Sequence, residues 1–315
     1  MKYFVTGGAG FIGSNYVEYL FNNVTDLSSI TIYDAFTYAA NEQNYSQFSK
    51  NPKLNVIRGD ICNFEDLCSA MIGHDFVIHF AAESHVDRSI ENAEDFVKTN
   101  VLGTYNVLEA AKRNRVKTVI HVSTDEVYGS LEFGSADESF ILQPNSPYAA
   151  SKAASDLLAR SYYVTFGLDV RITRSCNNFG KSQYPEKIIP FFVSNLIQGR
   201  NLPVYGDGEN VREWIHVTDH CRAINLVLSA GSPGEIYNIG SGYHLSNNDL
   251  AKLILRFFDE PIERIQYTKD RQGHDFRYSV NCGKLKALGF SVPPNFNSAL
   301  EETVRWYREN LSFIK

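Results

Sequence analysis

The chain has 315 residues, 43% of them hydrophobic and 21% charged, an ordinary globular composition with material for one or two domains. Its formal net charge of −6 argues against nucleic-acid binding, but not against a phosphate-bearing small molecule, which needs only a few local cations and helix N-termini. No apolar run is long enough to span a bilayer, and the opening Met1-Lys2-Tyr3-Phe4-Val5-Thr6 is too short in its apolar part for a signal peptide, so a cytoplasmic protein that binds no membrane is expected.

Short β-branched runs alternate with helical patterns along the first half. Strands are predicted at Tyr3–Thr6, Ser29–Asp34, Leu54–Arg58, Phe76–Phe80, Thr118–Ser123 and Asp169–Thr173. Helices are predicted at Ile12–Phe21, Phe64–Met71, Phe96–Asn114 and Pro147–Phe166. This alternation implies an α/β fold, a Rossmann-like doubly wound parallel sheet. Val77-Ile78-His79-Phe80 and Val119-Ile120-His121-Val122 are apolar almost throughout, as strands covered on both faces should be. His79 and His121 are therefore read as packed core residues. After residue 178 prolines, glycines and aromatics become frequent. A dinucleotide-binding domain at 1–178 is expected, with 211–240 returning to it. Residues 179–210 and 241–315, with helices at Asn247–Phe258 and Ser298–Leu311, would form a smaller substrate lobe. The five cysteines (62, 68, 176, 221 and 282) contain no CxxC pair, so free thiols and no metal site are expected.

Thr6-Gly7-Gly8-Ala9-Gly10-Phe11-Ile12-Gly13 follows a strand and opens a helix. It satisfies G-x-G-x-x-G, whose glycines let the backbone approach a pyrophosphate at a helix N-terminus. Asp34, ending the next strand, can accept hydrogen bonds from the adenosine ribose hydroxyls. The residues after it are Ala35 and Phe36 rather than arginine, which favours NAD over NADP. Asp60-Ile61, ending the following strand, would flank the adenine.

Ser123-Thr124-Asp125-Glu126 ends another strand, where ligands of an open parallel sheet bind. Asn145-Ser146-Pro147 then starts a helix with a capping residue and a proline at its first position. Tyr148 and Lys152 follow four apart, on one face. An ammonium there can lower a phenol's pKa and make it a usable base, with help from a positive nicotinamide ring. Asp125 and Glu126 add a separate acid and base, one more pair than a simple hydride transfer needs, and so suggest that water is removed.

On these residues the chain resembles the extended short-chain dehydrogenase/reductases, and within them the dTDP-glucose 4,6-dehydratases. The likeness runs through Thr6–Gly13, Phe80–Asp87, Thr99–Thr104, Ser123–Gly129, Tyr148–Lys152, Asn177-Asn178 and Gly273-His274-Asp275, nearly the whole chain. Thr124-Asp125-Glu126 is its specific part, since epimerases and decarboxylases of the superfamily usually lack the acidic pair. The resemblance implies a cytoplasmic lyase of deoxysugar biosynthesis. Tyr148 would remove the C4 hydroxyl proton of an NDP-glucose, most readily dTDP-glucose, as NAD oxidises C4. Glu126 would take the C5 proton, protonated Asp125 would donate to the departing C6 hydroxyl, and the cofactor would then reduce C6. Thr124 would donate a hydrogen bond to the C4 oxygen.

The resemblance also implies NAD contacts at Gly7, Gly10, Phe11, Ile12, Gly13, Asp34, Asp60, Ile61, Ala81, Ala82, Thr99, Ser123, Tyr148, Lys152 and Asn178. Substrate contacts would come from Ser84, Thr124, Asn177, Glu186, Lys187, Pro203, Tyr205, Arg212, Asn247, Arg271, His274 and Tyr278. Lys187, Arg212 and Arg271 would face the diphosphate, and Pro203 and Tyr205 the base. Departures from the usual pattern fall at Ala40, Ser175-Cys176, Phe179, Lys181 and His244. A UDP-glucose 4,6-dehydratase or a UDP-sugar 4-epimerase is the alternative on the same scaffold. A homodimer is expected through Phe96–Asn114 and Pro147–Phe166, two helices from each subunit.

Overall fold

The computed structural model describes residues 1–314. Twelve strands form in chain order: β1 Lys2–Thr6, β2 Ser29–Asp34, β3 Leu54–Arg58, β4 Phe76–His79, β5 Thr118–Thr124, β6 Val170–Ser175, β7 Asn177–Phe179, β8 Leu202–Tyr205, β9 Val211–His216, β10 Ile236–Ile239, β11 His244–Ser246 and β12 Ile265–Thr268. Seven make one sheet in the order β10-β6-β5-β4-β1-β2-β3, with every neighbouring pair parallel. Helices cover both faces, which is why all seven residues of β5 are buried and why its sequence lacks polar alternation. The doubly wound fold expected from the sequence is the one observed.

Ile236–Ile239 joins this sheet beside β6, but Val211–His216 does not. It pairs with β7 and β11 in a separate three-stranded sheet, so the expected return of that segment to the large sheet is corrected for β9. Packing explains the division. The helix after β9, Val217–Ala230, does lie on the large sheet: its Val217, Cys221, Ile224 and Val227 share a core with Tyr16, Val17 and Leu20 of the helix Phe11–Asn23. Trp214 of β9 instead enters a second core with Phe179, Ile189, Phe192, Leu250, Ile254, Leu300 and Tyr307.

Two helices depart from expectation. Ile188–Ile197 is apolar except for Ser194 and Asn195, which are themselves buried, so no polar stripe marks a solvent face and the helix sits in the second core. The predicted helix Phe96–Asn114 is interrupted: Ala93–Phe96 passes into a π-helical segment, Val97–Gly103, before Thr104–Arg113. Such widened turns cluster at functional sites. This one turns Asn100 inward, where its amide brackets the backbone of Glu83 with two bonds of 2.9 Å and donates to Ser151 Oγ at 2.8 Å. The loop after β4 is thereby tied to the helix Pro147–Phe166.

Candidate active site

The carboxyl ends of β1, β2, β4, β5 and β6 open into one cleft roofed by the second lobe. It is lined by Gly7, Gly10, Phe11, Ile12, Gly13, Asp34, Asp60, Ile61, Ala81, Ala82, Thr99, Ser123, Tyr148, Lys152 and Asn178, every position expected to touch the cofactor. Thr124, Asp125, Glu126, Ser84, Asn177, Glu186 and Lys187 line the same cleft.

The glycine loop is built to be approached closely. Gly7 has φ +69°, and a Cβ on Gly13 would collide with the Gly7 carbonyl oxygen. No side chain fits between the turn and the helix it starts. Asp34 clasps this loop, accepting from Ala9 N and Phe36 N at 2.9 Å each. Each carboxylate oxygen keeps a lone pair for a further donor, so a ribose hydroxyl can be accommodated. Gly13→Ala should weaken NAD binding by about 1–3 kcal/mol through overpacking. The nicotinamide content of the denatured purified protein reads this directly, and a full complement in the variant would contradict it.

The helix Pro147–Phe166 starts as its sequence indicates. Ser146 Oγ accepts from Ala149 N at 3.1 Å, Pro147 takes the first turn, and Gly167 closes the helix at φ +69°. Tyr148 and Lys152 then face the cleft together, both buried. Thr124 caps the turn Asp125–Tyr128, accepting from Glu126 N and donating to Asp125 Oδ1, both at 3.3 Å.

The two acids have different surroundings. Asp125 is raised well above the usual carboxylate range by burial, then by Glu126 and Glu213, and its Oδ2 has no partner. Glu126 is raised by burial too, but Arg271, Arg212 and Lys187 pull it back down. Burial favours the neutral form of both, but three cations oppose it at Glu126 whereas Glu126 and Glu213 reinforce it at Asp125. This is the division that an acid–base pair needs.

The phenol departs from expectation. Burial first, then Glu126, push the Tyr148 pKa up, while Thr124 pulls it down. Lys152, whose Nζ donates to the Val122 carbonyl at 2.8 Å and whose pKa burial brings down to about 8, does not reverse this rise. The chain's own groups therefore do not lower the phenol as the spacing of Tyr148 and Lys152 suggested.

The expected substrate residues split into those that line the cleft and those that stand behind its wall. Lys187, in the lining, reaches the Ser84 carbonyl with its Nζ at 2.7 Å. Arg212 stands behind, over the ring of Tyr278 at 4.4 Å, and donates to the Asp275 carbonyl at 2.9 Å. Among the described residues no carboxylate lies within ion-pair distance of Lys187 or Arg212, while Arg271 reaches Asp87 at 3.7 Å and leaves its Nε without a partner. Cations that are buried, as Arg212 is, or half-buried, as Lys187 and Arg271 are, and short of counter-ions suit a diphosphate. Tyr205 stands edge-on to His274, 6.3 Å between centroids, and His274 is held by Asp270 at 2.6 Å. The Tyr278 hydroxyl bonds Asp275. Pro203 pairs in register with Gln266 of β12, and Asn247 N donates to the Asn210 carbonyl at 3.1 Å. Pro203, Tyr205, Asn247, His274 and Tyr278 stand outside the lining of the cleft.

Tyr184, Gln183 and His220 also line the cleft, and sequence reasoning does not find them. His220 Nδ1 lies 2.7 Å from Asn178 Oδ1, and Asn178 Nδ2 donates to Ser175 Oγ and the Cys176 carbonyl at 3.0 Å each, so that amide is already engaged by the protein. No spacing rule links a histidine to an asparagine 42 residues earlier. Lys181 is taken up by Glu18 at 2.7 Å, and His244 lies 3.1 Å from Ser279 Oγ and 3.5 Å from Glu213.

The sequence profile of the family described as GDP-mannose 4,6 dehydratase matches residues 4–303. A dTDP-glucose 4,6-dehydratase of Streptomyces niveus is 48% identical over 98% of this chain and 94% of its own. Among solved structures, DesIV, a dTDP-glucose 4,6-dehydratase from Streptomyces venezuelae with NAD bound, superposes with a TM-score of 0.98 at 50% identity, covering all of both chains. A dTDP-glucose 4,6-dehydratase from Bacillus anthracis in complex with NAD gives 0.92 at 42% identity, again over all of both chains.

Proposed function

We infer the reaction from family and site together: the chain belongs to the GDP-mannose 4,6 dehydratase family, and it is an NAD-dependent lyase that converts dTDP-glucose to dTDP-4-keto-6-deoxyglucose. The observation that carries this reading is the acid pair in unlike surroundings, Asp125 raised well above the carboxylate range beside Glu126, which three cations pull back, in one cleft with Tyr148 and Lys152. Bound NAD supplies the oxidation at C4 and the reduction that closes the cycle at C6. Tyr148 takes the C4 hydroxyl proton, and Thr124 holds the oxygen it leaves. The C4 ketone acidifies the C5 hydrogen, which Glu126 removes as Asp125 protonates the departing C6 hydroxyl, and Glu126 returns a proton to C5 when C6 is reduced. Lys187, Arg212 and Arg271 hold the diphosphate and favour the ionised form of Glu126 against burial. An epimerase would have no use for a neutral acid beside its base.

Turnover of dTDP-glucose in heavy water should place deuterium at C5 of a 4-keto-6-deoxy product. Galactose without a keto product would overturn the reading, and UDP-glucose assayed alongside measures the preference for the base.

A homodimer is proposed through the faces of 97–113 and Pro147–Phe166, where Val97, Leu102, Tyr105, Leu157 and Val164 are exposed. Leu157 and Val164 are seven apart, on one stripe. Sizing should give twice the 35.6 kDa chain mass, and Leu157→Glu with Val164→Glu should give the monomer. A monomeric parent would refute the dimer.

A further inference from the structure

Beneath the catalytic residues lies a buried set of charges that the mechanism does not use. Asp156 follows Lys152 by one helical turn and shares its face. Its Oδ2 accepts from Arg174 Nε of β6 at 2.8 Å, and its Oδ1 lies 3.2 Å from His121 Nε2 of β5. Arg174 Nη1 donates to the Tyr128 hydroxyl at 3.0 Å, and that hydroxyl donates to Asn238 Oδ1 of β10 at 2.7 Å. Tyr128 ends the turn that begins with Asp125. One ion pair thus joins the helix of Tyr148 and Lys152, the turn of Asp125 and Glu126, and three strands. All its members are buried.

Stability alone is a poor reason for it. An apolar pair of similar volume is often as stable or more so, because two charges must leave water. The balance of charge gives a better one. Lys152 and Arg174 are two buried cations; Asp156 is paired with Arg174 and stands one helical turn from Lys152 on the same face.

We propose that Asp156 is a positioning residue of the reaction: it holds the Lys152 ammonium beneath Tyr148 and, through Arg174 and Tyr128, anchors the turn that carries the acid–base pair. This deepens the reaction assigned above and rests on it.

The titratable groups on the elements around Lys152 are Tyr148 and Asp156 on its own helix, His79 on β4, His121 on β5, Asp125 and Glu126 after β5, and Arg174 on β6. Burial holds both histidines below their ordinary range. Of the helices packed on the outer side, Arg88, Glu91, Glu94 and Asp95 are exposed or nearly so, and Lys112 and Arg113 pair with Glu109. Against burial, Asp156 is the group that strengthens the hold of Lys152 on its proton.

The test is the pH profile of kcat for dTDP-glucose. With Asp156→Asn the ammonium is lost earlier, so the alkaline limb should move down by about one unit, a roughly tenfold loss of rate above it, with KM little changed. Asp156→Glu should restore the limb. If the single variant folds poorly because Arg174 is left unpaired, Asp156→Asn with Arg174→Gln removes both charges and should keep most of the displacement at a melting temperature near the parent's. A limb that stays in place in a folded variant, or a parent rate without an alkaline limb, overturns the proposal. A parent that makes no keto product fails the reaction assignment instead, which separates the two.

Discussion

Glu126→Gln should abolish deuterium exchange at C5, and Asp125→Asn should preserve that exchange while stopping loss of the C6 hydroxyl. General acid–base groups contribute about 10²–10⁴-fold, so each variant should lose turnover in that range. Both should still oxidise C4, because Tyr148 and the cofactor loop are untouched. On mixing with dTDP-glucose, reduced-nicotinamide absorbance should therefore build up and persist where the parent shows only a transient. The asymmetry follows from the surroundings of the two carboxyls. Arg271, Arg212 and Lys187 favour the anionic form of Glu126 against burial, and an amide there cannot accept a proton. Asp125 is kept neutral by burial and by the adjacent Glu126, and an amide there retains the hydrogen-bonding shape but cannot protonate a leaving hydroxyl. Normal turnover in both variants would show that the roles are wrong.

Tyr148→Phe should act earlier, suppressing the reduced-nicotinamide signal itself, with a loss of about 10²–10⁴-fold. A phenol must fall roughly three units from its ordinary value to work near neutrality, about 4 kcal/mol of differential stabilisation. Burial and Glu126 push Tyr148 the other way. The parent's rate should consequently rise with pH through the neutral range, as more of the phenol ionises, until Lys152, near 8, begins to lose its charge. The variant should lack the rising part. NAD content should stay at the parental level, since the glycine loop and Asp34 are unchanged. A variant that oxidises C4 at the parental rate would remove Tyr148 from the mechanism.

Much of this site can be read from residue order, because its signals are local. The cap Ser146, the proline at 147 and the four-residue step from Tyr148 to Lys152 place two side chains on one helix face without knowledge of anything else. The glycine loop is equally local, since a strand, a turn and a helix N-terminus suffice. The π-helical segment is not legible. Its widened turn follows from the fit of Asn100 between Glu83 and Ser151, partners 17 and 51 residues away. The sheet to which β9 belongs is hidden for a related reason. A β-branched run states that a strand forms, and only the packing of Trp214 into the second core states which sheet it joins.

Residue order alone therefore settled the fold class and the form of the glycine loop, since each depends on short-range geometry. Tertiary structure decided which charges face each carboxyl, that burial drives the phenol of Tyr148 upward, and that Asp156 pairs with Arg174. Those are properties of an electric field. The field at a buried group sums charges brought close by folding, and their distances have no counterpart in sequence spacing.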